Sequence, residues 1–492
     1  MPDAARVAGG PARRSPARAA RGERARRSGS GAVSRSDDPL VGTGFRDRSR
    51  AQLGQPFLRQ AIPRATDHTI AALHDRFADV DVAALRERGR RIRAETIRDL
   101  DAHLETLVAA FERNGITVHR AADAEAARGR IRSICSAAGA RRVVKVKSMA
   151  TEEIRLNPAL AADGLEVVET DLGEYVVHLD DDRPSHIIAP IIHKTRQEVR
   201  QSLSRVAGRE LPDDTAELTG FARGQLRDAF LSADVGISGA NFGVAESGTV
   251  VLLTNEGNGR MCTSLPRVHI ALMGIERVLP TLDDLAVMLP LLAGSGTGQL
   301  LTSYVSMISG PRREGEPDGP EEMHVVLLDN GRRALLGGPF EEALHCIRCG
   351  ACQNVCPVYR QVGGHAYGWV YGGPIGAVLT PLFRGFDDGG ELPQASTLCG
   401  ACDDICPVKI PLHDLLLKLR RVGGGRAATR RERAAATFWA FLWSSGVGYR
   451  ASIAVGRLGL TLARVLPARL RRGPVLARWA AGRGLPGRGG RP

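Results

Sequence analysis

Aromatic side chains make up only 4% of the 492 residues, and no basic patch is interleaved with them, which removes base stacking as a way of holding nucleic acid. Long apolar runs are missing too. The most apolar part of the carboxyl-terminal tail, with Phe438, Trp439, Phe441, Leu442 and Trp443, runs about sixteen residues before Arg450 interrupts it, short of the ~20 that a membrane-spanning helix needs. No nucleotide fingerprint is present: the Gly294–Gly298 loop lacks the Gly-Lys-Ser/Thr ending of a P-loop and is not a GxGxxG turn, so neither flavin nor nicotinamide has a motif. The basic start has no apolar stretch after it, which argues against a secretory leader and leaves an Arg-rich transit peptide as the alternative. The formal charge of +13, from 67 Lys and Arg against 54 Asp and Glu, is carried largely by the two ends, and the middle is much closer to neutral.

Cysteine is scarce outside one region and dense inside it. Seven of the nine cysteines read Cys346-x2-Cys349-x2-Cys352-x3-Cys356-Pro357 and then Cys399-x2-Cys402-x3-Cys406-Pro407. This is the ligand spacing of a two-cluster bacterial ferredoxin, in which the last cysteine of each run serves the other cluster. The expected sets are therefore Cys346, Cys349, Cys352 and Cys406 for cluster 1, and Cys356, Cys399 and Cys402 for cluster 2. Aligning Gly350-Ala351-Cys352 with Gly400-Ala401-Cys402 puts Ser396 opposite Cys346, so the second set is one thiolate short. Two [4Fe–4S] clusters are expected, with cluster 2 open to a [3Fe–4S] form or to a non-cysteine ligand, for which Cys262 and His365 are the candidates. Zinc hooks lack the x3-Cys-Pro element, and nothing marks a secreted disulfide framework.

Residues 1–50 read as a disordered basic head rich in Arg, Ala, Ser and Gly. Ordered structure is expected from about Pro56, with amphipathic helices over 66–78 and 83–114 forming a helical cap across 51–120. From 121 to 335, helices alternate with short β-branched strands at 143–146, 165–168, 186–189, 249–253, 268–272 and 324–328, an α/β signature. A helix over 282–292 should end at the glycine-rich loop. A two-cluster domain follows over 336–425, its clusters shielded by Tyr367, Trp369 and Tyr371 and closed by a helix over 415–421. Residues 426–492 form an Arg-rich tail with an amphipathic helix in 450–470, suited to an anionic membrane surface or to a partner.

The phrase Gly239-Ala240-Asn241-Phe242-Gly243-Val244-Ala245-Glu246-Ser247-Gly248-Thr249, with Lys145-Val146-Lys147-Ser148-Met149 before it and Gly298-Gln299 and Thr302-Ser303-Tyr304 after it, resembles the lactate-utilisation (LUD) domain. With the cysteine runs added, residues 50 to 425 resemble the lactate utilisation protein B family. The resemblance implies an α/β LUD domain, similar in fold to sugar-phosphate isomerases and CoA transferases, followed by an α-helical two-cluster ferredoxin-type domain. It also implies a cytoplasmic iron–sulfur subunit of L-lactate oxidation, working with a cysteine-rich iron–sulfur oxidoreductase and a small LUD protein and passing electrons toward the respiratory chain. The hydride chemistry then belongs to a partner. The family's second run likewise has three cysteines, whereas the basic head and tail lie outside the resemblance.

Two side chains of the α/β domain are candidates for chemistry of their own. Glu246, in a turn before a strand, would be a base or nucleophile if desolvated, and otherwise a turn cap. Lys147, at a strand end, would meet a ligand phosphate or carboxylate, and otherwise stays solvated. An enzyme acting on a small carboxylate or acyl ligand, with the clusters as relay or redox sensor, is the alternative to a pure electron carrier.

Overall fold

A computed structural model describes residues 43–427 and 430–465; the first 42 residues of the basic head and the end of the tail lie outside the described residues. Residues up to Leu419 form one compact unit, and those from Arg420 a second.

The first unit is built on two sheets. Strands β1 (Thr117–Ala121), β2 (Arg142–Lys145), β3 (Glu166–Glu169), β4 (Val235–Gly239), β7 (Val268–Gly274) and β10 (Glu322–Leu328) form a parallel sheet in the order β1-β10-β7-β4-β2-β3. Strands β5 (Phe242–Val244), β6 (Thr249–Thr254), β8 (Val278–Leu279) and β9 (Tyr304–Ile308) form a mixed sheet in the order β8-β5-β6-β9. The parallel strands at the centre are buried throughout, β4 and β7 at every residue, because helices cover both faces. The chain runs outward from β2 to β3 and then returns through β4, β7 and β10. Its direction of winding reverses beside β2 and β4, where open α/β sheets place ligands at the carboxyl ends of the strands.

Several sequence expectations change. Residues 186–189 are not a strand but part of a loop against the cysteine region. Strand β4, Val-Gly-Ile-Ser-Gly, was not expected, because its glycines read as turn formers. Gly236 is required by packing instead: a Cβ there would lie 1.8 Å from the Cys262 carbonyl oxygen on the helix Asn258–Ser264. The helix expected over 83–114 is two, Val82–Arg98 and Leu100–Arg113, broken at Asp99. The helix expected to stop at Leu292 runs from Leu282 to Thr297 and ends on left-handed Gly298 (φ 73°). The closing helix is longer than 415–421, spanning Leu412–Ala427. Phe45–Leu53 is helical although its first six residues fall in the segment read as head.

The cap, the α/β part and the cysteine region pack against one another. Leu58, Ile62 and Phe77 of the cap, Phe242, Val251 and Leu291 of the α/β part, and the cluster-region cysteines belong to one continuous core. Arg93 of the cap is fully buried and donates to the carbonyls of Val278 (3.0 Å), Leu344 (3.1 Å) and His345 (3.3 Å), tying all three parts together.

Candidate functional site

Each cysteine run follows the same local path. The residue before the second thiol position has a left-handed backbone (Arg348 φ 61°, Leu398 φ 55°), as does the glycine two residues later (Gly350 φ 78°, Gly400 φ 81°). Short helices, Ala351–Val355 and Ala401–Ile405, then carry the next thiol. The correspondence extends to Ser396: its Oγ accepts the Leu398 N–H at 3.1 Å, as Cys346 Sγ accepts the Arg348 N–H at 3.4 Å.

Cys346, Cys349, Cys352 and Cys406 line one small cavity, brought together from both runs. All four are buried. Burial pushes the Cys406 thiol up to about 11, with the nearby Cys346 adding to it, and raises Cys349 and Cys352 further. The Ile410 N–H donates to Cys406 Sγ at 3.3 Å. Cys356, Cys399 and Cys402 form the second group: Cys356 feels Cys399, and Cys402 feels Cys356, on top of the burial that raises both. Cys399 is exposed, and its hydrogen bond with Thr397 lowers its pKa. Four convergent buried sulfurs with N–H donors around them suit an iron–sulfur cluster, which takes thiolates and displaces their protons.

The two proposed outside ligands lie elsewhere. Cys262 is buried under the parallel sheet, 3.4 Å from Thr170 Oγ1. His365 Nε2 donates to the Arg183 carbonyl at 2.7 Å, and its ring meets His193 at 4.5 Å. Asp182, His193 and His365 come within reach of a common point, but the Lys194 ammonium, 3.0 Å from Asp182, already supplies the counter-charge there. Among the expected shielding residues, Tyr367 and Tyr371 are fully buried, with Trp369 packed on Tyr371 at 5.2 Å. Tyr359, which the sequence did not single out, is also fully buried and donates to the Ser185 carbonyl at 2.6 Å.

A second cavity, of about 290 Å³, opens at the carboxyl ends of β2, β4 and β7. Lys147 lines it; its ammonium lies 3.4 Å from Glu174 and 3.4 Å from the His186 carbonyl, and its N–H donates to Asp171 at 2.9 Å. Burial pushes the Glu174 carboxyl up to about 7. Glu246 does not line this cavity. It is exposed and accepts the Leu282 N–H at 2.6 Å, capping the helix Leu282–Thr297, so the turn-cap alternative describes its place. What the sequence missed is a buried ion network at the cavity floor. Arg332 bonds Glu153 through both terminal nitrogens (2.8 and 2.9 Å) and Glu276 through Nε (2.5 Å). Tyr371 donates to Glu153 at 2.7 Å, and Arg348, from within the first cysteine run, reaches Glu276 at 3.5 Å and lies over the Tyr371 ring at 4.5 Å.

The loop at 186–189 joins the two cavities. His186 Nδ1 accepts the N–H groups of Ile188 (3.0 Å) and Ala189 (3.1 Å), which leaves Nε2–H to donate to Asn354 at 3.0 Å. Ile187 borders both cavities.

A parallel α/β domain sharing its core with two clustered sets of cysteines defines an iron–sulfur protein built on a LUD domain. Comparisons agree: the LUD domain family matches residues 104–328, and the 4Fe-4S dicluster domain family matches residues 342–410. Lactate utilization protein B of Shouchella clausii is 49% identical over 407 residues, covering 82% of this chain and 85% of that protein. Lactate utilization protein B of Bacillus thuringiensis is 52% identical over 337 residues, covering 68% and 71%. The uncharacterized electron transport protein YkgF of Escherichia coli is 45% identical over 414 residues, covering 82% and 87%. The chain belongs to the lactate utilization protein B family.

Proposed function

We propose that the chain is the iron–sulfur electron-transfer subunit of an L-lactate-oxidising system, receiving electrons from a partner dehydrogenase subunit and passing them to a respiratory acceptor. The observation that carries this reading is the asymmetry of the two thiol groups: the first is wholly buried beside the cavity of the α/β domain, while the second reaches the surface at Cys399. Bound clusters supply one-electron carriage, with Cys346, Cys349, Cys352 and Cys406 holding the first and Cys356, Cys399 and Cys402 the second. Burial and N–H donors to sulfur then set the potentials. The position of Ser396 makes it the oxygen-ligand candidate for the second cluster, against a [3Fe–4S] form. The partners in this reading are a cysteine-rich iron–sulfur oxidoreductase and a small LUD protein. The setting is cytoplasmic, with the tail resting on the inner face of the membrane.

The test is EPR with iron and sulfide counts on protein purified without oxygen, compared as isolated, after dithionite, and after L-lactate with both partners. Two clusters reduced by lactate only when the partners are present is the expected result. Clusters that stay oxidised during turnover would refute the reading and favour the second one, an enzyme acting on a small carboxylate or acyl ligand in the α/β cavity. Lys147→Ala then separates the two, because a pure carrier tolerates it.

A further inference from the structure

The arginines at the floor of the α/β cavity outnumber the carboxylates they pair with. Glu276 faces three guanidinium groups: Arg332 Nε at 2.5 Å, Arg348 Nη2 at 3.5 Å and Arg277 Nε at 3.7 Å. Glu153, the other carboxylate of the group, is taken up by Arg332, Asn330 and Tyr371. Three guanidiniums against two carboxylates leave one formal positive charge. Arg348, whose side chain is only 7% exposed, also has Nε and Nη1 buried without a hydrogen-bond partner among the described residues. The other charged side chains on the wall have partners of their own: Lys147 faces Glu174, while Asp171 accepts the Lys147 backbone N–H and the Asn258 amide (2.8 Å) and Glu256 accepts the Leu172 N–H (3.2 Å), neutral donors that leave the charge of both carboxylates in place. A buried cation with unused donors is costly unless an anion completes it.

We propose that this cavity binds a small carboxylate anion, with Arg277 and Arg348 as its contacting cations. A carboxylate presents two oxygens to a guanidinium fork, and Ser148 and Asn241 on the same wall provide hydrogen-bonding groups for a neighbouring hydroxyl or oxo substituent. The backbone turn at Arg348 is common to both cysteine runs, since Leu398 shares it. The arginine in that turn is not common to both, and it lines both the cavity and the pocket of the first thiol set. A carboxylate held there touches the segment between Cys346 and Cys349. The site itself stands without the electron-transfer reading, whereas its influence on cluster 1 rests on that reading. The competing role for the two arginines is to balance the charge of the Cys346 sulfur, which both also face.

The experiment is isothermal titration of the full-length, cluster-loaded protein, without partners and without oxygen, against L-lactate, pyruvate, succinate and inorganic phosphate. At least one carboxylate is expected to bind at one per chain, and Arg277→Gln is expected to weaken it about tenfold or more. Arg277 lies outside the cysteine runs, so an unchanged iron count shows the variant folded. The EPR spectrum of the dithionite-reduced wild type should change on adding that carboxylate, and the variant's should not. Binding of phosphate alone overturns the carboxylate assignment. No binding of any probe, or equal affinity in Arg277→Gln, overturns the site and leaves the arginines to the sulfur. No partner or turnover enters the measurement, so its failure is separate from failure of the electron-transfer reading.

Discussion

Single residues at the cavity floor show how far side-chain chemistry could be read in advance. Lys147 was visible as a strand-end lysine, but Arg277, Arg332 and Arg348 carried no local signal. Arg348 sits in a cysteine run where every intervening residue reads as a spacer, and its role emerges only when Glu276, 72 residues earlier, is folded against it. The network makes sharp demands on stability. Arg332→Met leaves Glu153 and Glu276 buried with reduced pairing, and the expected loss is about 3–5 kcal/mol, seen as a lowered urea midpoint of the cluster-loaded protein. Glu174 gives a pH dependence. Its folded pKa of about 7 lies above the ordinary 4.5, so its contribution is complete below 4.5 and is lost as pH rises through 7. In that window the folded state holds the proton that the unfolded chain has released, and stability falls by up to about 1.4 kcal/mol per pH unit. Denaturant midpoints measured from pH 5 to 7.5 should fall in the wild type and flatten in Glu174→Gln.

Among the elements, those with an amphipathic or β-branched pattern were legible and those built on glycine were not. Five of the strands announced themselves through valine and leucine runs, at β2, β3, β6, β7 and β10. Strand β4 and the last turns of the helix Leu282–Thr297 read as breaks, because glycine signals a turn unless a neighbour occupies the space a side chain would need. At Gly294 that neighbour is Phe77 of the cap, whose Cζ would lie 2.5 Å from an added Cβ. Gly294→Ala is therefore expected to destabilise by about 1–3 kcal/mol despite alanine's better helix propensity. Phe77→Leu in the same chain should restore part of the loss. A thermal-unfolding double-mutant cycle checks this, and additive effects would dismiss the contact. The loop at 186–189 failed in the opposite sense. Its His-Ile-Ile-Ala pattern suits a strand, yet the N–H groups of Ile188 and Ala189 bond to the His186 ring and that of Ile187 to Gln353 Oε1 rather than to a neighbouring strand.

For the whole molecule, the unit from Arg420 onward has its own logic. Among its described residues are the helices Arg430–Trp443 and Gly446–Val465, with Trp439 and Trp443 rings 4.9 Å apart. Phe438, Trp439 and Phe441 remain 56–76% exposed, and no helix among the described residues is long and apolar enough to cross a membrane. Exposed aromatics beside Arg430, Arg431 and Arg433 suit an anionic lipid surface. Full-length protein should co-sediment with phosphatidylglycerol vesicles, and replacing Phe438, Trp439 and Phe441 with serine should abolish this; undiminished sedimentation would assign the aromatics to a protein partner. Across the chain as a whole, thiol spacing was enough to identify the cluster region, because the thiols within each run lie two or three positions apart, a spacing written locally even though each cluster also draws a thiol from the other run. The LUD phrases likewise marked the α/β domain by short, position-specific strings. Tertiary structure alone decided that cap, α/β part and cysteine region share one core, that Glu246 caps a helix outside the cavity, and that Arg348 faces the carboxyl ends of the strands. Those facts depend on contacts between residues tens to hundreds of positions apart, where charge balance and packing act through space and leave no periodic trace in the chain.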